Sequence, residues 1–383
     1  MENLINGFLS TQKDKNLLRT LKNITSQKNG LITIEGKEYV NFSSNDYLGL
    51  SSHPGLKQAL INDIEDGIGT CSSRLMTGTS SYHLNLENKV SKLKNKEAAL
   101  IFNSGYQANL GIISALAGRK DCVFSDKLNH ASIVDGVKLS GSKLIRFNHN
   151  DVKNLEDLLK KNKEKYNKLF VVTESVFSMD GDISPIEDII DLKKKYGFCL
   201  ILDEAHATGV FGKNGMGLTD SESISKHVDI IMGTFSKALA GFGAYVCMSE
   251  NIRDFLINKS RGFIYSTSLP IPVIKLNSKA LDLVHDEPYR RGEVLRKAEN
   301  LRKGLIGFGF NVIGKSQIVP IIFGDTKKTI RVAKALKEKG YWVLPIRKPT
   351  VPDNEARIRI SVTYDHKDET IEKFINDIRN LVA

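Results

Sequence analysis

The chain has 383 residues, of which 41% are hydrophobic and 26% charged, and its net charge is +11. This length allows two or three domains around a sizeable core. The longest apolar runs are strand-sized, which excludes a membrane-spanning helix. The positive charge would suit nucleic acid, anionic substrates or an acidic protein partner. No RNA-binding motif or basic stripe with interleaved aromatic residues accompanies it, so the charge alone indicates no function.

Taken in chain order, the predicted elements describe an α/β protein. An N-terminal helix precedes "LITIEGKEYVNF", which predicts two short strands around a turn, and the spacing in "HPGLKQALINDIEDG" and "HLNLENKVSKLKN" is helical. From "EAALIF" to "FCLILDEA", strand-like and helical stretches alternate. This alternation predicts a mostly parallel central sheet with helices on both faces.

The C-terminal part departs from this alternation. Past about residue 275, a long helical stretch leads into "FNVIGKSQIVPIIFGD", "WVLPI" and "ARIRISVT", which predict strands of a small second sheet. We therefore expect an N-terminal helix with short strands over residues 1–45, a large α/β domain over 46–275, and a small C-terminal α+β domain over 276–383.

The N-terminus and the cysteines indicate a compartment. "MENLINGFLSTQKDKNLLRT" is polar and lacks the apolar core of a signal peptide. The four cysteines show neither a CxxC pair nor the spacing of a zinc site: Cys71, Cys122, Cys199 and Cys247. We expect a cytoplasmic protein whose thiols are reduced and mostly buried.

Two short motifs raise the alternative of a nucleic-acid-dependent ATPase. "GFNVIGKS" matches the phosphate-binding P-loop pattern, and "DEAH" at residues 203–206 matches the acidic box of certain helicases. A P-loop needs a strand before the glycine-rich turn and a helix after it. Here a helical stretch precedes the match, the β-like "QIVPIIFG" follows it, and the acidic box comes first. The order of elements therefore argues against an ATPase.

Lys237 lies in "GTFSKALAGFGAYV", between the strand-like stretches "HVDIIMG" and "GAYVCM". One interpretation is a loop whose lysine reaches solvent. The other is an amine that is kept there for its chemistry. A lysine that loses hydration carries a costly charge, and Schiff-base enzymes use such lysines.

Ligands of open α/β sheets bind beyond the carboxyl ends of the strands, so residues that directly follow strands are candidates for a site. "FNSGYQAN" opens a helix after "EAALI", "SDKLNHAS" carries His130, and "LILDEAHATG" carries Asp203 and His206. Together with Lys237 they combine a phosphate cradle, a carboxylate, two histidines and an amine. This set predicts a pyridoxal phosphate site, in which the lysine binds the aldehyde and the carboxylate keeps the ring nitrogen protonated.

Each feature also has a simpler interpretation. His130 could be a hydrogen-bonded residue at a helix start, and "NSGYQAN" could be an ordinary strand-to-helix turn. Asp203, His206 and His130 could bind a metal, although the two histidines fit no common zinc motif. We favour the pyridoxal phosphate site over a metal site because all of its parts occur together and in this order.

Over nearly its whole length, the sequence resembles the α-oxoamine synthases, a branch of the fold-type I pyridoxal phosphate enzymes. The resemblance rests on the segments "NFSSNDYLGLSSHP", "TCSSRLMTGTSSYHLNLE", "SDKLNHASIVDG", "TESVFSMDGDISP", "LDEAHATGVFG", "GTFSKALAGFGAYV" and "YSTSLP". The ending "PIRKPTVPDNEARIRISVTYDH" is similar to the tail of the biotin-pathway branch, although Lys348 stands where a proline is usual.

The resemblance implies roles toward the cofactor. Lys237 would form the Schiff base and later remove the α-proton of the amino acid, and Asp203 would pair with the pyridine nitrogen. His206 would approach the ring hydroxyl, while His130 would stack on the ring and assist acylation. Further residues would surround the ring or its phosphate: Ser104, Gly105, Tyr106, Ser178, Thr234 and Ser236, with Ser266 and Thr267 reaching the phosphate from the neighbouring subunit.

The resemblance also implies the substrates. Arg359 would bind the amino-acid carboxylate with Asn45 nearby, and Arg347 would face the acyl substrate. The reaction would be a decarboxylating condensation of L-alanine with a pimeloyl thioester, carried on coenzyme A or acyl carrier protein, in a homodimer with shared active sites. A sister enzyme that joins glycine to acetyl-CoA is the alternative. No metal, nucleic acid or membrane partner is expected.

Overall fold

The structure is a computed structural model that describes residues 1–15, 17–62 and 67–382. Contacts between residues divide the chain into two compact units. The smaller unit consists of Met1–Ser44, Met179–Gly181 and the chain from Arg296 onward, and the larger unit of Asn45–Ser178 and Asp182–Leu295. The boundaries of these two units differ from those of the three predicted ranges, because residues 1–44 belong to the same unit as the C-terminal part.

The described helices and strands follow the predicted order. The strands are β1 (Ile24–Lys28), β2 (Leu31–Ile34), β3 (Lys37–Asn41), β4 (Ala98–Phe102), β5 (Cys122–Asp126), β6 (Lys143–Phe147), β7 (Leu169–Glu174), β8 (Cys199–Asp203), β9 (Ile230–Thr234), β10 (Ala244–Met248), β11 (Ile318–Gly324), β12 (Tyr341–Trp342), β13 (Pro345–Ile346) and β14 (Ala356–Ser361). The α-helices are α1 (Glu2–Asp14), α2 (Pro54–Asn62), α3 (Ser81–Leu93), α4 (Gly105–Leu116), α5 (Ala131–Ser140), α6 (Val152–Asn162), α7 (Ile186–Tyr196), α8 (Glu222–Ser225), α9 (Glu250–Lys259), α10 (Arg261–Ile264), α11 (Ile271–Asp286), α12 (Tyr289–Gly307), α13 (Thr326–Glu338) and α14 (Asp368–Val382). Residues 63–66, at the end of the helix predicted in "HPGLKQALINDIEDG", lie outside the described residues.

The larger unit is built on a seven-stranded sheet in the order β4-β10-β9-β8-β7-β5-β6. Strands β5 to β9 pair in parallel, as predicted, and β10 runs antiparallel to both of its neighbours. Strands β4, β5, β7, β9 and β10 are buried along their whole length. Since strands that helices cover on both faces lose water from both sides, they appear in the sequence as continuous apolar runs. The predicted fold-type I architecture is therefore confirmed in this unit.

The connection from β9 to β10 carries Lys237 and is closed at both ends. The Phe235 N–H donates to the carbonyl of Gly243 at 3.0 Å, and the Gly241 N–H donates to the carbonyl of Phe235 at 2.8 Å. Gly243 has a φ of +96°, and a Cβ at this position would lie 2.8 Å from the carbonyl oxygen of Phe102. A glycine is therefore required where the chain turns back into β10.

The smaller unit contains two small sheets, ordered β1-β2-β3-β12 and β11-β14-β13. The segment "WVLPI", which we predicted as one strand, is divided between them: β12 pairs with β3, and β13 pairs with β14. Helix α12 comes before "GFNVIGKS" and strand β11 after it, so the element order that argues against a P-loop is confirmed. Pro320 lies in β11, an edge strand, where its missing N–H costs no interstrand hydrogen bond.

Two expectations from composition can be compared with the structure. Cys122 and Cys247 are buried, but Cys71 is exposed and Cys199 only partly covered, and all four are free thiols. Within the part of the chain that the structure describes, no helix combines the length and the apolar character needed to cross a bilayer.

Candidate active site

Strand register brings the predicted cofactor residues to one edge of the central sheet. Asp203 pairs with Glu174 on one side and with Met232 on the other. Ala244 of β10 pairs with both Phe102 and Thr234. The carboxyl ends of β4, β7, β8 and β9 therefore lie at the same edge, where ligands of open α/β sheets bind.

Lys237 and His206 meet at this edge. The Lys237 Nζ lies 2.8 Å from the His206 Nε2, and the His206 side chain is buried. Lys237 itself is half-buried, so its side chain is neither fully withdrawn from solvent nor fully exposed.

His206 also belongs to a chain of hydrogen-bonded polar side chains that the sequence motifs did not predict. Its Nδ1 lies 2.7 Å from the Tyr47 hydroxyl oxygen, and the Tyr47 hydroxyl donates to the Asn45 Oδ1 at 3.1 Å. Tyr47 is completely buried. The predicted substrate residue Asn45 is thus linked to Lys237 through two side chains. Tyr47 lies in "NFSSNDYLGLSSHP", one of the segments that carry the family resemblance. Its position in this segment could have marked it as a candidate site residue.

Asp203 is buried at the end of β8 and is held by two N–H donors. Its Oδ2 accepts a hydrogen bond from the Asn109 Nδ2 at 2.9 Å, and its Oδ1 accepts one from the Ala205 N–H at 2.9 Å. Charge-assisted bonds of this kind are short and directional. They fix the orientation of the carboxylate at the strand end.

His130 is the N-cap residue of α5 and has an exposed imidazole. The ring stands edge-on to Tyr106, with centroids 6.3 Å apart and an interplanar angle of 82°. Desolvation lowers the pKa of His130, and the charge of Lys237 reinforces this effect while Asp203 opposes it. The imidazole is therefore predominantly neutral at physiological pH.

Glu174 is a buried acid at the end of β7 that sequence reasoning missed. Its Oε1 accepts a hydrogen bond from the His130 backbone N–H at 2.6 Å. Burial, together with the negative charge of Asp203 and against that of Lys237, raises the pKa of Glu174 to about 8. Glu174 therefore carries a proton at neutral pH. It lies within the quoted segment "TESVFSMDGDISP", but nothing in its spacing marks it as protonated.

The predicted phosphate residues form two groups on either side of β10. Ser104 caps α4, where its Oγ accepts a hydrogen bond from the Gln107 N–H at 3.1 Å. The Thr234 and Ser236 hydroxyl oxygens lie 2.7 Å apart. The N–H groups of a helix start and nearby hydroxyls are what a phosphate needs. A Cβ on Gly105 would make only an ordinary contact with Met232, at 3.8 Å, so space alone does not require this glycine.

Other predicted cofactor residues have contacts of their own. The Tyr106 hydroxyl donates to the Asp135 carboxylate at 2.5 Å. Ser266 accepts a hydrogen bond from Gln107 at 2.7 Å, and the Thr267 carbonyl accepts one from Asn103 at 2.8 Å. These two residues thus adjoin the β4–α4 turn of their own chain. Their predicted contact with a partner's phosphate stays a prediction.

Ser178 lies half-buried in a turn that is closed by the bridge between Val176 and Ile183. A histidine ties this turn to the end of β5: the His149 Nδ1 lies 3.0 Å from the Asp126 Oδ1, and its Nε2 lies 2.7 Å from the Asp182 Oδ2. Burial disfavours the charged imidazole, but the two carboxylates outweigh it and raise the pKa of His149 to about 10. His149 is therefore an imidazolium held between two carboxylates.

We expect His149→Gln to lower the free energy of unfolding by about 3 kcal/mol at pH 6 and by far less at pH 10. A group whose pKa is raised by folding stabilises the folded state fully below its unfolded pKa of 6.5, and this stabilisation is lost as the pH rises through about 10. Urea unfolding at both pH values measures the difference, with the exposed His285→Gln as control. A loss of equal size at both pH values would contradict the double ion pair.

The two predicted substrate arginines belong to the smaller unit. Arg359 is buried on β14, and its Nη1 donates to the Ser361 Oγ at 2.6 Å. Arg347 follows β13, and its Nη1 donates to the Pro345 carbonyl at 3.3 Å. Burial, and then the charge of Arg19, lowers the pKa of Arg347. The substrate roles of both arginines stay predictions.

The residues of the larger unit fit pyridoxal phosphate chemically. The cofactor needs an amine for its aldehyde, an anion for its ring nitrogen, and N–H or O–H donors for its phosphate. Lys237, Asp203 and the Ser104 turn supply these in one place. In the alternative metal site Asp203 and His206 would be ligands, but Asp203 is held by Asn109 and Ala205, and His206 by Lys237 and Tyr47.

The sequence matches the family of class I and II aminotransferases over residues 37–378. The chain belongs to the class I and II aminotransferase family. Within this family, the 8-amino-7-oxononanoate synthase of Geobacter sulfurreducens is 42% identical over 379 residues, which are 98% of this chain and 97% of that protein. The family assignment agrees with the chemistry of the site.

Solved structures of the class I and II aminotransferase family are also similar. A serine palmitoyltransferase variant from S. paucimobilis, solved with a bound PLP–myriocin aldimine, has a TM-score of 0.91 at 28% identity and covers 98% of this chain and 96% of its own. The 8-amino-7-oxononanoate synthase from Francisella tularensis has a TM-score of 0.78 at 31% identity and covers 90% and 98%. The predicted resemblance to the α-oxoamine synthases is therefore confirmed.

Proposed function

We propose that this enzyme is a pyridoxal phosphate-dependent 8-amino-7-oxononanoate synthase of biotin biosynthesis. It condenses L-alanine with a pimeloyl thioester and releases carbon dioxide and the free thiol carrier. The observation that carries the proposal is the 42% identity to a synthase of that name over 98% of this chain. The hydrogen-bonded amine and imidazole of Lys237 and His206 beside the buried Asp203 supply the chemistry.

Pyridoxal phosphate, when bound, supplies an aldehyde that reacts with amines and a ring that accepts the electron pair released at the α-carbon of the amino acid. Lys237 holds the cofactor through its amine. Asp203 places a negative charge for the ring nitrogen. The α4 start at Ser104 and the hydroxyls of Thr234 and Ser236 provide the donors for the phosphate.

Proton transfer is assigned to Lys237. Its amine, when unprotonated, accepts the α-proton of alanine, and the His206 Nε2 at 2.8 Å is a hydrogen-bond partner that holds the amine in place. Tyr47 and Asn45 extend this link and fix the imidazole in turn. The proton that Lys237 has taken is returned to the product carbon at the end of the reaction.

The net reaction balances between the two substrates. The α-carbon of alanine forms a bond with the thioester carbonyl carbon, the carbon–sulfur bond breaks, and the thiolate takes up a proton. The carboxylate carbon then leaves as carbon dioxide. Arg359 binds this carboxylate until the condensation has occurred, because earlier loss of carbon dioxide would waste the amino acid.

A product assay tests the proposal. The purified enzyme with pyridoxal phosphate is incubated with alanine or glycine and with pimeloyl-CoA or acetyl-CoA, and products are identified by mass spectrometry. We expect 8-amino-7-oxononanoate from alanine and pimeloyl-CoA as the main product. A preference for glycine with acetyl-CoA would assign the enzyme to the sister reaction instead.

We further propose that the working unit is a homodimer in which Ser266 and Thr267 serve the partner's phosphate. An enzyme whose subunits complete each other's sites loses activity when they separate. Sedimentation of the active enzyme at assay concentration is expected to show a dimer. A fully active monomer would exclude shared sites.

The acyl carrier is proposed to include acyl carrier protein as well as coenzyme A. The net charge of +11 favours an acidic partner, and such complementarity mainly raises the rate of encounter. Surface charges are screened over about 10 Å at 0.1 M salt, so we expect the reaction with the carrier protein to depend more steeply on salt than the reaction with coenzyme A.

The enzyme's location in the cytoplasm stays a prediction.

A further inference from the structure

A buried chain of hydrogen bonds connects Asp203 to His130. The Asn109 Nδ2 donates to the Asp203 Oδ2 at 2.9 Å and to the Ser132 Oγ at 3.0 Å. The Ser132 Oγ lies 2.7 Å from the His130 Nδ1. Asn109 and Ser132 are 1% and 0% exposed, so water does not compete for these bonds.

Counting donors fixes the direction of the two bonds made by Asn109. The amide of Asn109 must turn its nitrogen toward the carboxylate of Asp203, because its oxygen there would face another acceptor. The same nitrogen gives its second hydrogen to Ser132. The Ser132 hydroxyl accepts this bond and still has its own hydrogen to donate, and the His130 Nδ1 lies 2.7 Å away.

The backbone independently shows whether the His130 Nδ1 accepts or donates a hydrogen bond. The Ser132 N–H also points at the His130 Nδ1, at 3.3 Å. A backbone N–H can only donate, so Nδ1 accepts here and carries a lone pair, and the Ser132 hydroxyl donates its hydrogen to the same atom. In the neutral ring, the hydrogen then resides on Nε2.

We propose that Asn109 and Ser132 are positioning residues that hold His130 as the tautomer with its hydrogen on Nε2 and link this choice to the carboxylate of Asp203. The part that this tautomer plays in catalysis rests on the proposed function. Neither residue is expected to touch substrate, since both act through His130 and Asp203.

The consequence concerns what His130 offers to a bound molecule. Among the residues that the structure describes, none forms a hydrogen bond with the His130 Nε2. This atom therefore presents an N–H donor, and not a lone pair, to a molecule bound beyond the strand ends. The assignment makes His130 a hydrogen-bond donor toward the substrates and removes it as a base at Nε2.

The charged and titratable groups around His130 come from several elements. Glu174 on β7 accepts from its backbone N–H. Asp203 after β8, Lys237 after β9 and Asp135 on α5 act on its ring through their charges. Asp203 and Asp135 favour the imidazolium, and Lys237 opposes it. By donating a hydrogen bond to Nδ1, the Ser132 hydroxyl also favours the neutral ring.

Nitrogen NMR of the full-length protein with ¹⁵N-labelled histidine tests the proposal. The shifts of the two ring nitrogens distinguish the tautomers, and His130→Gln identifies the signals. In the wild-type protein we expect the hydrogen of His130 on Nε2. In Ser132→Ala the fraction of this tautomer should fall and the pKa of His130 should rise by about one pH unit, because a donor that favours the neutral ring is lost.

Two further variants act as controls. Ser132→Thr keeps a hydroxyl and should restore the wild-type shifts. Ser114→Ala removes a hydroxyl that donates to the Leu110 carbonyl on α4 and should leave His130 unchanged. A hydrogen on Nδ1 in the wild-type protein would overturn the proposal even if no variant folds, and so would unchanged shifts and pKa in Ser132→Ala.

The measurement separates this proposal from the proposed function. The nitrogen shifts are read without turnover, so they stand whatever product the enzyme makes. If the product assay fails while the shifts are as expected, only the proposed function is wrong. If the enzyme makes 8-amino-7-oxononanoate while the hydrogen lies on Nδ1, only the positioning role is wrong.

Discussion

Lys237→Ala is expected to abolish turnover, with a loss of at least about 10⁴-fold, while the protein still folds. The side chain is half-buried, so its removal leaves little unfilled space. In the proposed function its amine has two tasks, to bind the aldehyde and to transfer the α-proton, and proton transfer by a positioned side chain alone contributes about 10²–10⁴-fold. Its hydrogen-bond partner His206 carries an imidazole and not a primary amine, so this neighbour does not replace it.

Visible absorbance and product formation measure this prediction together. The variant should retain some cofactor through the phosphate donors but lack the absorbance of a cofactor joined to the lysine. Lys194→Ala, which removes a lysine paired with Asp191 on the surface of α7, is the matched control. Normal activity and unchanged absorbance in Lys237→Ala would show that another residue holds the cofactor.

Asp203→Asn is expected to slow removal of the α-proton of alanine by about three orders of magnitude. The carboxylate is held by Asn109 and by the Ala205 N–H, and in the proposed function it would supply the negative charge for the ring nitrogen. An amide has nearly the same shape but no charge. One of its two polar atoms would also be an N–H₂ group that meets a donor, so the orientation of the side chain suffers as well.

Exchange of the alanine α-proton with deuterium, followed by proton NMR, reports this step without the acyl substrate. The surface variant Asp191→Asn makes the same chemical change away from the site. Cofactor binding, measured by absorbance titration, should weaken much less than the exchange rate. Exchange at the wild-type rate in Asp203→Asn would remove Asp203 from its role at the ring nitrogen.

Much of the fold followed from the sequence because its strands are buried on both faces. Runs such as "DCVF" and "KLFVVTE" are apolar along their length, and this predicted both the strands and the parallel sheet. The antiparallel direction of β10 was not predictable in this way, since burial leaves the same pattern for either direction. The division of "WVLPI" between two sheets depends on pairing partners far away in the chain, which local patterns do not contain.

The candidate site could be predicted from the sequence where it consists of residue types with a distinctive chemistry. A lysine, an aspartate and a histidine after successive strands indicated the cofactor. The sequence did not identify Tyr47, Asn109 and Ser132, because tyrosine, asparagine and serine are common in loops and helices that have no catalytic role. Their roles depend on distances to His206, Asp203 and His130 that only the folded chain supplies.

The connection that carries Lys237 has a consequence for how the amine moves. It joins two adjacent antiparallel strands, and backbone hydrogen bonds from Phe235 and Gly241 close it. In the proposed reaction, the Lys237 amine would have to give way to the substrate amine and return when the product departs. With the backbone fastened at both ends, this travel falls to the four-carbon side chain, whose rotations take picoseconds to nanoseconds when it is exposed. Movement of the amine would then require no opening of this connection.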